Sequence, residues 1–143
     1  YVTADIDSPI ADVTADIINL PFNDNSFDVI FCNHVLEHVQ DDTRAMKELF
    51  RVMKKGGMGI FQVPQDLNRN VTFEDNSITN PKERAKIFGQ YDHVRVYGKD
   101  YFDKLRSIGF EVKEVNYSQK LSTEISSKYR LMEGELLPVV FKN

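Results

Sequence analysis

At 143 residues the chain has the length of one ordinary domain, enough to enclose a core. A formal charge of −4 argues against a nucleic-acid backbone as the main partner, because that role needs a basic face. The single cysteine, Cys32, permits no internal disulfide and calls for no oxidising compartment. No apolar run approaches the roughly 20 residues of a membrane span, so the expectation is a cytoplasmic chain without a nucleic-acid or membrane partner.

Taken in order, Tyr1–Ile6 is short and β-prone and stops at Asp7-Ser8-Pro9. Val13–Ile17 alternates apolar and polar residues and predicts a second strand. Leu20–Phe22 and Asn23–Ser26 form a loop. Phe27–Cys32 is a nearly continuous apolar run, which predicts a strand covered on both faces in a parallel sheet. Asp41 and Asp42 cap a helix reaching Lys55, with Met46, Leu49, Phe50 and Met53 on one face. Gly56 offers the left-handed ending, and Met58–Val63 is the next strand, closed by Pro64. The segment 65–96 is polar with little periodicity and predicts a long loop serving as a lid or binding loop, or disordered. A helix over Asp100–Ile108 turns Phe102 and Leu105 inward and ends at Gly109. Glu111–Tyr117 and Leu136–Lys142 are the last strands, although Pro138 cannot donate to a ladder. This succession predicts an open α/β sheet covered by helices.

In such sheets ligands sit outside the carboxyl ends of the parallel strands. The residues there are Asp5, Asp16 and Asn33-His34. Each aspartate also suits a plain turn. The run from Ala15, A-D-I-I-N-L-P-F-N-D-N-S-F-D-V-I-F-C-N-H-V-L-E-H-V, followed by K-E-L-F-R-V-M-K-K-G-G, resembles the small-molecule class I S-adenosylmethionine (SAM) dependent methyltransferase family. L-R-S-I-G-F-E-V, Leu105–Val112, resembles that family's last helix and sixth strand. The resemblance implies a Rossmann-like sheet, mostly parallel with an antiparallel last strand, and SAM as cofactor. It implies that Asp5 holds the cofactor ribose, that Asp16 and Ile17 flank the adenine, and that Asn33 and His34 lie near its methionine part. Glu48, Arg51 and Gly57 are implied to set the helix and its exit.

Two departures shape the expectations. The family's G-x-G-x-G loop does not occur in these residues, so an N-terminally truncated domain is expected, lacking the central strand between the family's second and fourth. The open edge left there would favour a homodimer or a strand swap. The family's helix between its second and third strands is also replaced by six residues, Asp7–Asp12. Fully extended, they span about 20 Å; an antiparallel hairpin there would put Asp16 at the wrong end.

His34-Val35-Leu36-Glu37-His38 matches, read alone, the inverted zinc-peptidase pattern, but it follows directly on a strand. A subset of the methyltransferases carries E-x-x-E-H here to hold a divalent metal, and His34 stands where that subset has glutamate. The expectation is no metal, with His38 packed in a helix and Glu37 facing solvent or paired locally. His93 and Arg95 suit either a substrate contact or a salt-bridged surface loop, and Cys32 reads as a small hydrophobe. The function expected is methyl transfer from SAM to a small-molecule acceptor, mainly by orientation, with His38 or His93 as base where one is needed. The competing readings are a catalytically silent fragment or interaction module, and a nicotinamide enzyme on a similar sheet.

Overall fold

The computed structural model describes residues 1–132 and 134–143. Strands β1 (Ala4–Asp5) and β2 (Val13–Thr14) form a two-stranded sheet, and their pairing is parallel. The short connection therefore makes the parallel return, and Asp5 and Asp16 lie at the same end of that sheet.

The main sheet contains β3 (Phe27–Phe31), β4 (Met53–Ile60), β7 (Glu111–Val115) and β8 (Leu137–Phe141), in the order β3-β4-β8-β7. β3 and β4 are parallel, while β8 is antiparallel to both β4 and β7. The last strand is antiparallel as expected, but it sits inside the sheet. The sheet is consequently mixed rather than mostly parallel. Pro138 is tolerated because β4 pairs β8 only over Val139–Phe141, and the Pro138 carbonyl still accepts from the Phe61 amide at 3.2 Å.

Helices α1 (Asp42–Val52) and α3 (Tyr101–Ile108) pack together on one face of this sheet. Ala45, Met46 and Leu49 meet Tyr101, Leu105, Phe61, Phe110 and Val140 there in one buried cluster. The other face is not covered in the same way. Ile30 packs against the core and Cys32 is buried, but Val29 is 48% and Phe31 66% exposed. The expectation that β3 is covered on both faces is thus overturned: both helices lie on the Ile30 side, and among the described residues β3 pairs only with β4.

Helix α1 starts as its sequence dictates, with the Asp41 side chain accepting from the Arg44 amide. It ends three residues before Lys55. Met53 already has extended backbone, pairs with Phe27 and is fully buried, and Lys54 ion-pairs with Asp28 of β3 at 2.7 Å. Gly56 does take positive φ (+76°), but within β4, where the register against β3 shifts. At Gly59 a Cβ would lie 2.9 Å from the Ile30 carbonyl oxygen, so β3 and β4 approach closely there.

Arg51 explains why the L-P-F loop and the E-x-x-R helix occur together. Its guanidinium forks onto both carboxylate oxygens of Glu48 at 2.8 Å and donates to the carbonyls of Leu20 and Phe22. Glu48 in turn accepts from the Leu20 amide. Loop and helix are one hydrogen-bonded unit.

The segment 65–96 is not a structureless loop. Within it, α2 (Pro81–Phe88) begins with the Asn80 side chain accepting from the Lys82 and Glu83 amides and ends at Gly89 with φ +92°. Strands β5 (Phe73–Glu74) and β6 (Arg95–Val96) close its ends into an antiparallel pair. Helix α2 buries only Phe88, so it has no apolar period to betray it. A further short helix, α4 (Thr123–Lys128), is capped by Ser122.

Candidate functional site

Past the end of β3 the chain folds into a turn, not a helix. His34 has φ +57°, and its amide donates to the Gln62 carbonyl at 2.8 Å. The amides of His38 and Val39 then donate back to Val35 and Leu36, and Leu36 is fully buried beneath them.

Such a turn leaves carbonyl oxygens without helical partners. Arg95 supplies them. Its guanidinium, 2% exposed, donates to the carbonyls of Leu36 (2.8 Å), Val39 and Gln40 (2.7 Å), and also to Glu74 (3.0 Å). The Val94 amide donates to the Glu37 carbonyl at 3.0 Å. The stretch around β6 is therefore stitched to the turn. His93, Val94, Arg95 and Tyr97 are all buried, which corrects the surface-loop expectation.

This stitching places His93 against His38, with ring centroids 4.7 Å apart and planes nearly perpendicular. Glu37 lies beside both. It is 1% exposed, so of the two expectations for it, facing solvent or pairing locally, the solvent-facing one fails, and neither carboxylate oxygen has a hydrogen-bond partner among the described residues. Glu37, His38 and His93 each offer a ligand atom within 4.8 Å of the others. His34 contacts Glu37 at 3.5 Å from its rim position, with 58% of its side chain exposed.

The imidazoles are oriented from behind. His38 Nδ1 lies 3.2 Å from Asp92 Oδ2, and His93 Nδ1 lies 3.3 Å from the Phe88 carbonyl. A proton on each Nδ1 satisfies those acceptors and leaves each Nε2 with its lone pair. Two imidazoles and a carboxylate are a donor set that fits a divalent ion. Cys32 takes no part: burial first, then the Glu37 charge, push its thiol up to about 12.

Below this cluster Asp42 is buried. Although burial opposes ionisation, hydrogen bonds from Lys104 and Tyr97, both 2.7 Å, and the charge of Arg95 hold its carboxyl below the ordinary range.

The implied cofactor residues are different in kind. Asp5 is fully exposed, and its Oδ1 accepts from the amides of Asp7 and Ser8, which lower its carboxyl. Asp16 Oδ1 accepts from the Ile18 amide at 3.1 Å. Both therefore serve local turns, and in Asp5 the second oxygen is free among the described residues. Asn33 Oδ1 accepts from the Gln62 amide, and Ile17 packs against the core. Beyond Gln62, a hollow of about 230 Å³ opens between Tyr117, Leu131, Met132, Glu135 and Leu137, beside the carboxyl ends of β4 and β7. A larger hollow of about 400 Å³ lies on α2 between Asn80, Lys82, Glu83 and Lys86. Residue spacing gave no sign of the role of Asp92, or of the burial of Glu37. The only signal was the density of polar side chains in Y-D-H-V-R-V-Y.

Residues 3–61 match the family model described as a methyltransferase domain. A 2-phytyl-1,4-naphtoquinone methyltransferase of Nostoc punctiforme is 34% identical over 116 residues, 72% of this chain and 50% of the relative. The chain thus spans about half the length of that protein. Among solved structures, a 1,6-didemethyltoxoflavin-N1-methyltransferase of Burkholderia thailandensis, solved with S-adenosylhomocysteine, has a TM-score of 0.60 at 13% identity, over 98% of this chain and 60% of that one. A SAM-dependent methyltransferase of Mesorhizobium loti has a TM-score of 0.57 at 16% identity, over 93% of this chain and 70% of the other. At these identities the structures speak for the fold. Among the described residues no helix is long and apolar enough to cross a membrane.

Proposed function

We propose that this chain, which belongs to the class I SAM-dependent methyltransferase family, forms most of a domain that transfers the SAM methyl group to a small-molecule acceptor. The observation that carries the reading is the parallel pairing of β1 with β2. It leaves Asp5 and Asp16 at one rim, the end where open α/β sheets take nucleotides. On this reading the free Oδ2 of Asp5 accepts from the ribose hydroxyls, Asp16 and Ile17 border the adenine, and Asn33 and His34 border the methionine part.

The reaction breaks the bond from sulfur to the methyl carbon and forms one from that carbon to the acceptor. SAM leaves as S-adenosylhomocysteine, and an acceptor proton passes to a base. Of the two imidazoles, His38 has the accessible surface, with 31% of its side chain exposed, and with Nδ1 held by Asp92 its Nε2 is the proton acceptor in the ion-free protein. His93, 8% exposed, supports it from behind. The hollow beside Gln62 receives the acceptor, and its Tyr117, Leu131 and Met132 suit a flat apolar ring. The name of the Nostoc relative points the same way, to a quinone-type acceptor.

The Rossmann-like sheet is completed, on this reading, by a strand against the free edge of β3 that brings the glycine-rich loop. The edge of β3, unpaired among the described residues, supports a neighbouring strand there, and the exposed Val29 and Phe31 leave its outer face open to cover. A strand from a second copy is the alternative source, and light scattering separates the two: a monomer carries its own strand, a dimer exchanges it. The catalytic reading is tested by incubating the full-length protein with methyl-labelled SAM and a hydroquinone panel. Label transfer supports it, and a protein that binds neither SAM nor S-adenosylhomocysteine refutes it.

A further inference from the structure

The hollow beside Gln62 is apolar over most of its wall, where Tyr117, Leu131, Met132 and Leu137 meet. Among its described lining residues Glu135 is the one charged side chain, and no lysine, arginine or histidine joins it there. One Glu135 carboxylate oxygen accepts from Gln62 Nε2 at 2.5 Å, and the other has no hydrogen-bond partner among the described residues. Ser118 does not supply one, because its hydroxyl donates to Asn116 Oδ1 within its own loop at 2.9 Å.

Gln62 presents this carboxylate from a fixed base. Its backbone is pinned on both sides, the amide donating to Asn33 Oδ1 and the carbonyl accepting from the His34 amide. The side chain thus starts from the ends of β3 and β4 and reaches the hollow. A carboxylate accepts hydrogen bonds and donates none. A ligand that covers the free oxygen strips water from it, and the loss is made good only where the ligand brings a donor.

We propose that Glu135 is the specificity-determining group of the acceptor hollow, selecting ring compounds that carry a hydroxyl or ammonium donor and rejecting those that carry a carboxylate. The inference rests on the reading that this hollow receives the methyl acceptor, and adds what that acceptor must carry. A hydroxyl or ammonium group replaces the displaced water. An ether oxygen at the same place leaves the carboxylate unpaired, and an anionic substituent adds like-charge repulsion on an apolar wall. The volume, about 230 Å³, lies below the roughly 300–1,000 Å³ of drug-sized sites and suits a small ring system. The Gln62–Glu135 bond is also the one side-chain hydrogen bond that ties the segment 116–136 to the rest of the chain among the described residues, so the test must separate recognition from a plain latch.

The full-length protein, with and without S-adenosylhomocysteine, is dialysed to equilibrium against naphthol, naphthyl methyl ether and naphthoate, each substituted at the same ring position. In the parent, naphthol should bind roughly 10–100-fold more tightly than the ether, and naphthoate most weakly of the three. Glu135→Gln keeps the side-chain shape and an oxygen for Gln62 but removes the charge. Its naphthol advantage should shrink to about threefold or less, and its affinity for naphthoate should rise by about tenfold. Gln62→Leu releases the carboxylate without neutralising it, so the naphthol advantage should fall while naphthoate stays excluded. Melting temperatures of all three proteins accompany the series. A parent that binds none of the probes, or binds naphthol and the ether equally, overturns the assignment. So does a Glu135→Gln protein that melts below the parent yet ranks the probes as the parent does, since Glu135 is then a latch alone. Methyl transfer to hydroquinones together with that unchanged ranking leaves the functional reading standing without this recognition. Ranking through Glu135 in a protein that binds neither SAM nor S-adenosylhomocysteine sinks the methyl-transfer reading alone.

Discussion

Two groups of carboxylates mark the molecule, and they live under opposite conditions. At the β1–β2 rim, Asp5 and Asp16 are exposed, and each gives one oxygen to amides two or three residues away. In the turn after β3, Glu37 is buried and has no such partner among the described residues, and Asp42 beneath it is held by Lys104, Tyr97 and Arg95 from distant parts of the chain. The rim is made by local sequence and costs the fold little; ligand contacts can be placed there without strain. The turn exists only because three separate segments meet. A substitution at the rim should therefore change binding and spare stability, while one in the turn should change both.

Arg95 tests this most severely. Arg95→Met would leave three carbonyls and Glu74 without this donor and remove a positive charge from beside buried Asp42, and breaking a buried pair of this kind costs about 3–5 kcal/mol. The denaturant midpoint should fall accordingly, and Arg95→Lys should restore only part, because a single ammonium cannot reach all the carbonyls. Leu36→Ala, emptying a fully buried site under the turn, should cost about 2–5 kcal/mol by the same measurement.

Asp42 gives the comparison a pH dependence. Its carboxyl is depressed in the folded protein, so its contribution is fully present above the ordinary aspartate value of 3.8 and is lost as pH falls through the lower folded-state value. Melting temperatures across the acid range should drop less steeply in Asp42→Asn than in the parent, starting from a lower plateau. At the other extreme, Asp16→Ala should shift stability by no more than about 0.5 kcal/mol, as exposed substitutions do. A larger loss would mean the rim is less local than it looks.

The same contrast decides what the sequence could reveal. Helix α1 was legible because Asp41 precedes it and apolar residues recur on one face, and α3 because Phe102 and Leu105 turn inward and Gly109 ends it. The L-P-F and E-x-x-R elements were legible together because a single residue, Arg51, ties them. Helix α2 was missed although Asn80, Pro81 and Gly89 mark both its ends, since it has no apolar stripe. The order of the sheet followed no local rule: β8 inserts between β4 and β7, and buried Lys142 then donates to the carbonyls of Phe50 and Met53 at the end of α1. The candidate cluster was half legible. His38 and Glu37 are neighbours in sequence, but His93 and Asp92 are carried to them by long-range hydrogen bonds from Arg95 and the Val94 amide.

The central claim, that the β1–β2 rim receives SAM, is tested most directly by calorimetric titration of SAM into the full-length protein and its Asp5→Ala variant. A hydrogen bond to a charged group contributes about 1.5–3 kcal/mol, so the variant should bind roughly tenfold or more weakly, with an unchanged melting temperature in the absence of SAM. Equal affinity in parent and variant would contradict the account.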